Sequence, residues 1–347
     1  MVFSDLFWRD ALRRVRVLAG YGHDEAWPSN KTAVTLPEPV IGVLDNPARI
    51  LDDPAMPKSA VRHLKSADHF LDPHFRLRVM RVPQHGATRE QHTHDFEELV
   101  LILDGHGQHK VGREVYDIAT GDVFVLLGDV SHGYPEVKDL SLINILYDPA
   151  NLRFPRADLG ALPGYHALFE VEPRLRQRQR FQNRLKLGMD ELGRLVKLIA
   201  GLETELRANA PGSRFVATAH FMQIVAFLAR VYSKMPVEKQ RPVTQISELL
   251  GYMEQHFAEP LTIGDLARVA HLSQTSLFRL FRQIMGRAPI DYLIRLRINK
   301  AAQLLRREPL RIKEVSEAAG FTDSNYFTRQ FRNVMGVSPR EYRQQPR

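Results

Sequence analysis

The last third of this 347-residue chain contains, at residues 320–343, the stretch GFTDSNYFTRQFRNVMGVSPREYR. Its first four residues predict a tight turn, and residues 324–335 then follow a helical pattern that a glycine ends. Ser338 and Glu341, three residues apart around Pro339, form a capping box that starts another helix. The stretch therefore predicts a turn, an amphipathic helix and the start of a further helix.

This stretch is the second copy of an internal repeat, because a shift of 50 residues aligns it with the preceding segment. The matched pairs are Arg279 and Arg329, Phe281 and Phe331, Arg282 and Arg332, Pro289 and Pro339, and Tyr292 and Tyr342. Each copy, at 263–285 and 312–335, predicts a short helix, a tight turn and a second helix, which is helix-turn-helix geometry. A helix over 289–306, roughly 27 Å long at 1.5 Å per residue, joins the copies. The second helices can then enter successive major grooves of DNA, about 34 Å apart.

The second helix of each copy has one apolar and one polar face. The side chains that we predict to contact DNA are Gln274, Thr275, Phe278, Arg279, Arg282, Ser324, Asn325, Thr328, Arg329 and Arg332. Arg suits guanine through two hydrogen bonds, Asn and Gln suit adenine, and an apolar group can meet the thymine methyl.

Residues 241–347 also hold 17 Lys+Arg against 10 Asp+Glu, a net charge of +7 out of +8 for the whole chain. Double-stranded DNA is therefore the predicted partner.

Composition excludes several other kinds of site. The chain has no Cys, which excludes disulfides, Cys-ligated zinc and thiolate nucleophiles. No run of the sequence approaches the ~18–20 apolar residues that span a bilayer. Residues 1–20 mix charged with apolar side chains and lack the uninterrupted apolar core of a signal peptide. We therefore expect a cytoplasmic protein with no membrane partner.

A β-rich part precedes the repeat. From about residue 75 to 147, short segments rich in Val, Ile, Leu and Phe alternate with glycines, which predicts an all-β barrel or sandwich. Two helices, over 183–206 and 214–233, are predicted to follow it. Residues 21–60 are rich in Pro, so the extension over 1–60 is expected to be irregular, and Met56 is an alternative translation start.

The β-rich part carries possible ligand residues in the pattern Gly86-x5-His92-x-His94-x3-Glu98-x6-Gly105. Two His two residues apart on a strand point to the same side, and Glu98 lies at an even separation from both. With a fourth residue downstream, the predicted effector-binding set, which is also the possible metal-binding set, is His92, His94, Glu98 and His132. The residues predicted to lie at the surface or at strand ends are His85, His106 and His109.

This pattern resembles the first motif of the cupin superfamily. The second cupin motif departs from the family, because Leu127 and Asp129 replace its Pro and Gly. Three His and one carboxylate are typical of metal-dependent cupin enzymes. The resemblance leaves two uses open: the four residues hold a divalent metal, or they form hydrogen bonds to an effector without metal.

Residues 245–344 resemble the DNA-binding domain of the AraC/XylS family of bacterial transcription regulators, above all at 320–327 and 336–343. Residues 60–170 are similar to the regulators of L-rhamnose operons, through strings that include HTHDFEELV at 92–100. The implied effector is a monosaccharide or a related carbohydrate. The resemblance further implies a homodimer, contact with RNA polymerase if the protein is an activator, and no required cofactor.

The resemblance implies a multidomain β and α fold. Its expected parts are an irregular N-terminal extension over 1–60, a cupin-like β-barrel (jelly roll) over 61–170, a helical dimerisation segment over 171–236, a linker over 237–244 and an all-α DNA-binding domain with two helix-turn-helix motifs over 245–347.

The leading hypothesis is a sequence-specific transcription regulator that is not an enzyme. It is expected to activate genes of carbohydrate catabolism or transport when a sugar occupies the barrel. Two alternatives stay open at this point. One is a metal-dependent cupin enzyme fused to a DNA-binding domain, and the other is a DNA-binding dimer that responds to no ligand.

Overall fold

The structure is a computed structural model, and it describes part of the chain. The described residues are 61–88, 90–152, 157–176, 185–208, 210–235, 241–307 and 309–345. The predicted N-terminal extension over 1–60, with Met56, lies outside them. Half of the predicted linker, at 237–240, lies outside them as well.

A single sheet of eight strands forms the first part of the molecule. The strands are β1 (Arg62–Leu64), β2 (Leu77–Val82), β3 (His92–His94), β4 (Glu97–Val111), β5 (Glu114–Ala119), β6 (Asp122–Leu126), β7 (His132–Tyr147) and β8 (Leu185–Lys186). Strands β1, β3, β7, β4, β6 and β8 follow each other in that order, while β2 also pairs with β7 and β5 with β4. The long antiparallel pair β4 and β7 is the centre of this sheet. The predicted β-rich part is confirmed, although β1, β3 and β8 are too short to show a pattern in the sequence.

Both faces of this sheet are buried, which explains its nearly continuous apolar runs. On β4, Val100 and Ile102 point into the barrel and pack in an interior cluster with Phe124. Their neighbours Leu99 and Leu101 point outward and pack in a second cluster against helices. Successive residues of a strand alternate between faces, so one strand supplies both cores.

Helices cover the outer face of the barrel. The helices of this part are α1 (Ser66–His69), α2 (Ala157–Gly160), α3 (Pro163–His166), α4 (Glu172–Arg176), α5 (Met189–Ala208) and α6 (Ser213–Tyr232). A π-helical turn, Ala167–Val171, connects α3 to α4. The long helices α5 and α6 pack against each other and bury Leu195 and Phe221 in the outer cluster.

Helix α6 corrects one expectation from the sequence. It is long and apolar enough to cross a membrane by length and composition alone, with a mean hydropathy of 1.4. In the structure, its residues Phe221, Ile224 and Leu228 are fully buried in the outer cluster. Burial within the protein accounts for part of this apolar composition, and one such helix is weak evidence for a membrane span.

The rest of the described chain is helical. Its elements are α7 (Arg241–His256), α8 (Ile263–Val269), α9 (Gln274–Met285), α10 (Pro289–Arg307), α11 (Ile312–Ala318), α12 (Ser324–Met335) and α13 (Pro339–Gln344). The two predicted helix-turn-helix units are α8–α9 and α11–α12, with α10 between them. Helix α7 begins at Arg241, so residues 241–244 of the predicted linker form its first turn. Pro242 fits there because the first helical N–H groups have no partner within the helix.

Candidate functional site

The polar face of α9 is exposed because its opposite face is anchored. Ser273 caps the helix, and its hydroxyl accepts a hydrogen bond from the Ser276 N–H at 3.1 Å. Leu277 and Phe281 are fully buried. The five residues of α9 predicted to contact DNA are all exposed: Gln274, Thr275, Phe278, Arg279 and Arg282. Phe278 is 44% exposed, so it does not pack into the core and is open to a DNA base.

Helix α12 presents the corresponding face in the second unit. Asp323 caps it by accepting hydrogen bonds from the N–H groups of Asn325 and Tyr326, at 2.7 and 3.1 Å. The predicted residues that are exposed are Asn325, Arg329 and Arg332, and those that are half-buried are Ser324 and Thr328. The Thr328 hydroxyl donates to the Ser324 carbonyl at 2.8 Å, so this donor is already used within the helix.

Tyr326 and Arg297 make two further contacts in this part of the molecule that the sequence pattern did not single out. The Arg329 guanidinium lies 5.3 Å from the centre of the Tyr326 ring, a cation–π contact that restrains it. Arg297 of α10 donates to the carbonyls of Phe257 and Glu259, each at 2.6 Å. The same guanidinium lies 5.8 Å from the ring of Phe321 in the second unit. Arg297 therefore connects the segment between α7 and α8 to the second unit.

Three of the four predicted effector residues come together inside the barrel. His94 and His132 each place Nε2 beside the same oxygen of Glu98, at 3.3 and 3.5 Å. All three residues are buried, and one ligand atom from each lies within 4.8 Å of the others. They lie on β3, β4 and β7, and the pairing of these strands brings them together.

The hydrogen bonds of the two rings place a hydrogen on Nδ1 of each ring. His94 Nδ1 lies 2.7 Å from the Phe96 carbonyl, and His132 Nδ1 lies 2.9 Å from the Val130 carbonyl. A carbonyl oxygen only accepts, so each Nδ1 carries the hydrogen. In a neutral ring, Nε2 then presents a lone pair toward Glu98. The cluster is satisfied only by a second proton on the rings or by a bound group that supplies positive charge or hydrogen-bond donors.

The cluster strongly favours one charge state of Glu98. Burial opposes ionisation of this carboxyl, but the facing His132 and His94 outweigh burial and hold its pKa well below the usual value. The structure therefore keeps a negative charge at the centre of this polar cluster, and a charge in such a site requires partners.

The fourth predicted residue, His92, lies beside the cluster of His94, Glu98 and His132 and is not part of it. Its ring centre is 4.2 Å from that of His132 and 6.3 Å from that of His94. Burial, and then the nearby His132, lower the pKa of His92 to about 3. His92 is therefore a neutral hydrogen-bonding group at neutral pH.

His109 is a residue of this site that sequence reasoning missed. It was expected at the surface or at a strand end, but it is fully buried, with its ring 4.8 Å from Phe124 and 5.8 Å from His132. Burial lowers its pKa well below the usual value. The cause is a set of register shifts in β4 after Ile102, which turn odd-numbered residues inward.

His106 is exposed, as predicted, and His85 is half-buried against Tyr134, with ring centres 4.5 Å apart.

Comparison with known families matches both parts of the chain. The AraC-like ligand binding domain matches residues 74–225, and a helix-turn-helix domain matches residues 266–345. The HTH-type transcriptional activator RhaR of Escherichia coli (strain K12) is 31% identical over 254 residues, which are 73% of this chain and 86% of RhaR. RhaR of Mannheimia succiniciproducens is 29% identical over 252 residues, with the same coverage of both chains.

Solved structures resemble parts of the chain. An AraC-type transcriptional regulator from Chromobacterium violaceum is 35% identical, covering 30% of this chain and 95% of that chain, with a TM-score of 0.28. A single-residue variant of apo ToxT from Vibrio cholerae is 14% identical, covering 78% of this chain and 97% of that chain, with a TM-score of 0.30.

The two family matches and the length of the match to RhaR agree with the order of domains in the structure. The match to RhaR also excludes the enzyme alternative, since this relative is a transcription activator. The chain belongs to the AraC family of DNA-binding transcription activators, with a cupin-like ligand-binding domain followed by a double helix-turn-helix domain.

Proposed function

We propose that this activator responds to a monosaccharide bound in the barrel and switches on genes for carbohydrate use. The observation that supports it is the buried polar cluster of His94, Glu98 and His132 inside the barrel, with His92 and His109 beside it. Sugar hydroxyls both donate and accept hydrogen bonds, so they suit one carboxylate beside several imidazole nitrogens. Binding shifts the protein between two arrangements only if the sugar prefers one of them.

A thermal shift experiment with a panel of monosaccharides tests the sugar response. A sugar at 100 times its Kd stabilises the folded protein by about 2.7 kcal/mol. We expect at least one sugar of the panel to raise Tm, and an uncharged non-sugar osmolyte at the same concentration is the control. If no sugar stabilises the chain, the ligand-independent DNA-binding dimer becomes the better hypothesis.

The same three residues also fit a divalent metal ion, and we propose them as its ligands. Nitrogen and carboxylate ligands lie at about 2.0–2.2 Å from zinc in a tetrahedral site, which places them roughly 3.3–3.5 Å from each other. The observed distances from Glu98 to the two rings agree with this spacing. A metal bound there supplies a Lewis acid that holds sugar hydroxyls. Calorimetric titration of chelator-treated protein with zinc, and of a His132→Ala variant as control, tests this directly.

For DNA, we propose that the exposed faces of α9 and α12 read two neighbouring major grooves. The support is the matched exposure of Arg279, Arg282, Arg329 and Arg332 on two helices joined by α10. Selection of bound duplexes from a random pool should recover two short motifs about 10 base pairs apart. Recovery of a single motif would contradict reading by both units.

We further propose that the chain acts as a homodimer in the cytoplasm, where it contacts RNA polymerase. The apolar start of α6 supports a dimer, because Phe215 is 82% exposed. Arg214 of the same helix pairs with Asp72, which brings the 95% exposed Leu71 close to this patch. Sedimentation equilibrium of the full chain tests it, with a mass of twice 39.8 kDa expected for a dimer.

The proposed boundary between sensor and DNA-binding domain is residue 241, where α7 begins, and α5 and α6 belong to the sensor.

A further inference from the structure

A cleft of about 160 Å³ lies outside the barrel, between the sheet, the π-helical turn and α6. Two aromatic pairs form its apolar walls. The rings of Tyr165 and Phe169 are stacked with centres 5.4 Å apart, and those of Tyr147 and Phe221 are 5.0 Å apart. Drug-sized ligands occupy pockets of about 300–1,000 Å³, so this cleft suits a smaller ligand, such as one sugar ring.

The cleft is separate from the histidine cluster. Glu97, which lines the cleft, is next to Glu98 on β4 and pairs with Tyr147 on β7. Successive side chains on a strand point to opposite faces, so Glu97 points out of the barrel where Glu98 points in. The sheet therefore lies between the two sites.

Charged groups complete the lining and define the ligand class. Two carboxylates, Glu97 and Glu170, and one guanidinium, Arg174, line the cleft. Arg174 also donates to the Glu170 carbonyl, which holds it in place. Carboxylates accept hydrogen bonds from hydroxyls and a guanidinium donates to them, while aromatic faces suit the apolar face of a sugar ring. The Glu170 carboxylate also faces His166 Nδ1 at 3.3 Å, so acidic and basic side chains are matched at the cleft, and this suits a neutral polyhydroxylated ligand.

The cleft also touches the DNA-binding domain. Phe169 and Glu170 lie on the π-helical turn Ala167–Val171, and such turns are rare and occur frequently at functional sites. This turn packs against α7. Helix α4, which carries Arg174, packs against the recognition helix α9.

A tyrosine of the first DNA-binding unit lies at the same junction. Burial and the nearby carboxylates of Glu170 and Glu254 raise the pKa of Tyr292 well above the usual value. The ring of Tyr292 meets that of Phe281 on α9 edge to face, with centres 5.6 Å apart. Phe169 of the cleft and Phe281 of α9 belong to one buried cluster, and Tyr292 packs against it, so packed residues connect the cleft to α9.

We propose that this cleft is a second effector site, for a neutral monosaccharide, and that its occupancy changes the position of the first helix-turn-helix unit against the sensor. The proposal relies on the DNA-binding role of the chain and does not depend on a sugar in the barrel.

A single introduced thiol tests occupancy, because the natural chain has no Cys. Leu127 lines the cleft and is half-buried, so Leu127→Cys places a thiol in its wall. Val115→Cys, at a 47% exposed position on β5, is the matched control. The reaction with N-ethylmaleimide is followed with L-rhamnose, L-fucose, D-glucose, L-arabinose and D-xylose, each added separately. A sugar at about ten times its Kd should slow alkylation in the cleft roughly tenfold and leave the control unchanged. No protection by any of the five overturns the proposal.

Variants in the two sites distinguish the cleft from the barrel. In the Leu127→Cys background, Glu170→Gln should remove protection by the sugar, while Glu98→Gln should leave it intact. If Glu170→Gln lowers Tm of the free protein, Glu97→Gln replaces it as the test. Protection that is lost in Glu98→Gln and kept in both cleft variants would place the sugar in the barrel and overturn the proposal.

Hydrogen exchange of the full chain tests the coupling. The protecting sugar should change amide exchange in α9 and leave α12 unchanged, because α12 packs in a separate core. Unchanged exchange in α9 would overturn the regulatory part of the proposal.

Discussion

At the scale of single residues, Glu98 organises the interior of the barrel. Its carboxylate faces His94 and His132, and their Nδ1 hydrogens are already donated to backbone carbonyls. Each Nε2 is therefore available to a second proton, a metal or a ligand hydroxyl.

Replacing Glu98 by Gln keeps the size and removes the charge. Titration calorimetry with the sugar that stabilises the natural protein should then show one binding site fewer per chain. Basal affinity for DNA should stay within about twofold, or roughly 0.4 kcal/mol, because the barrel interior does not contact α9 or α12. Asp117→Asn, on the exposed side of β5, is the control. An unchanged number of sites in Glu98→Gln would contradict the role of the cluster.

Arg329 is the residue on α12 with the best-defined position, since Tyr326 restrains its guanidinium. If it reads a guanine, Arg329→Ala should lower discrimination at one base position by about 1–3 kcal/mol. Fluorescence anisotropy with the selected duplex and its single-base variants measures this. Arg340→Ala, at an exposed position of α13, should leave discrimination unchanged. Equal weakening on every duplex would show that Arg329 contacts phosphate instead.

At the scale of elements, the register shifts in strand β4 determine which of its side chains point into the barrel. It starts with even-numbered residues inside and continues after the register shifts with His109 and Val111 inside. Gly105 lies in this irregular region with a φ of +79°. A Cβ there would lie 2.3 Å from the Asp139 carbonyl oxygen, so glycine lets the two strands cross closely.

A glycine substitution tests the close approach of the two strands at Gly105. Gly105→Ala should destabilise the protein by more than the 1–3 kcal/mol typical of backbone strain alone, because the new methyl group meets backbone atoms that cannot move aside. Gly112→Ala is a matched control, since φ is +59° and nothing lies within 4 Å of its Cβ. Chemical denaturation of both variants measures the difference. Equal losses would show that backbone conformation, and not close packing, requires Gly105.

At the scale of the whole molecule, the two DNA-binding units have different neighbours. Phe281 of the first unit belongs to the same buried cluster as the outer face of the barrel and the helices α5 and α6. Phe331, its counterpart in the second unit, packs in a separate cluster. The first unit is therefore joined to the sensor, while the second unit is attached to it through α10.

This asymmetry predicts different effects for two equivalent substitutions. Phe281→Ala and Phe331→Ala each remove a fully buried ring and should cost about 3–5 kcal/mol locally. Hydrogen exchange should show lost protection across α9, α7 and α4 for the first variant. For the second variant, the loss should be confined to the second unit, and binding of sugar should persist. A loss that spreads to the barrel in Phe331→Ala would contradict two separate cores.

The sequence by itself determined the helical repeat of the DNA-binding domain. Helix caps such as Ser338 with Glu341, helix stops and amphipathic periods are local signals, set by residues three or four apart, and the observed bounds of α12 match those predicted. The exposure of Arg279 and Arg329 followed from the same periodicity. The β-rich class of the sensor was also predictable, because short apolar segments between glycines are a local signal. The spacing of a family motif identified His94, Glu98 and His132, although the three residues lie on three different strands.

Only the tertiary structure decided which histidines meet and how the domains join. His132 reaches Glu98 because two strands pair across more than thirty residues of sequence, and His109 turns inward because that pairing shifts its register. The cleft on the π-helical turn and the core shared with Phe281 depend on contacts between distant segments. Such contacts arise from packing of the whole chain, so a local pattern of residues does not predict them.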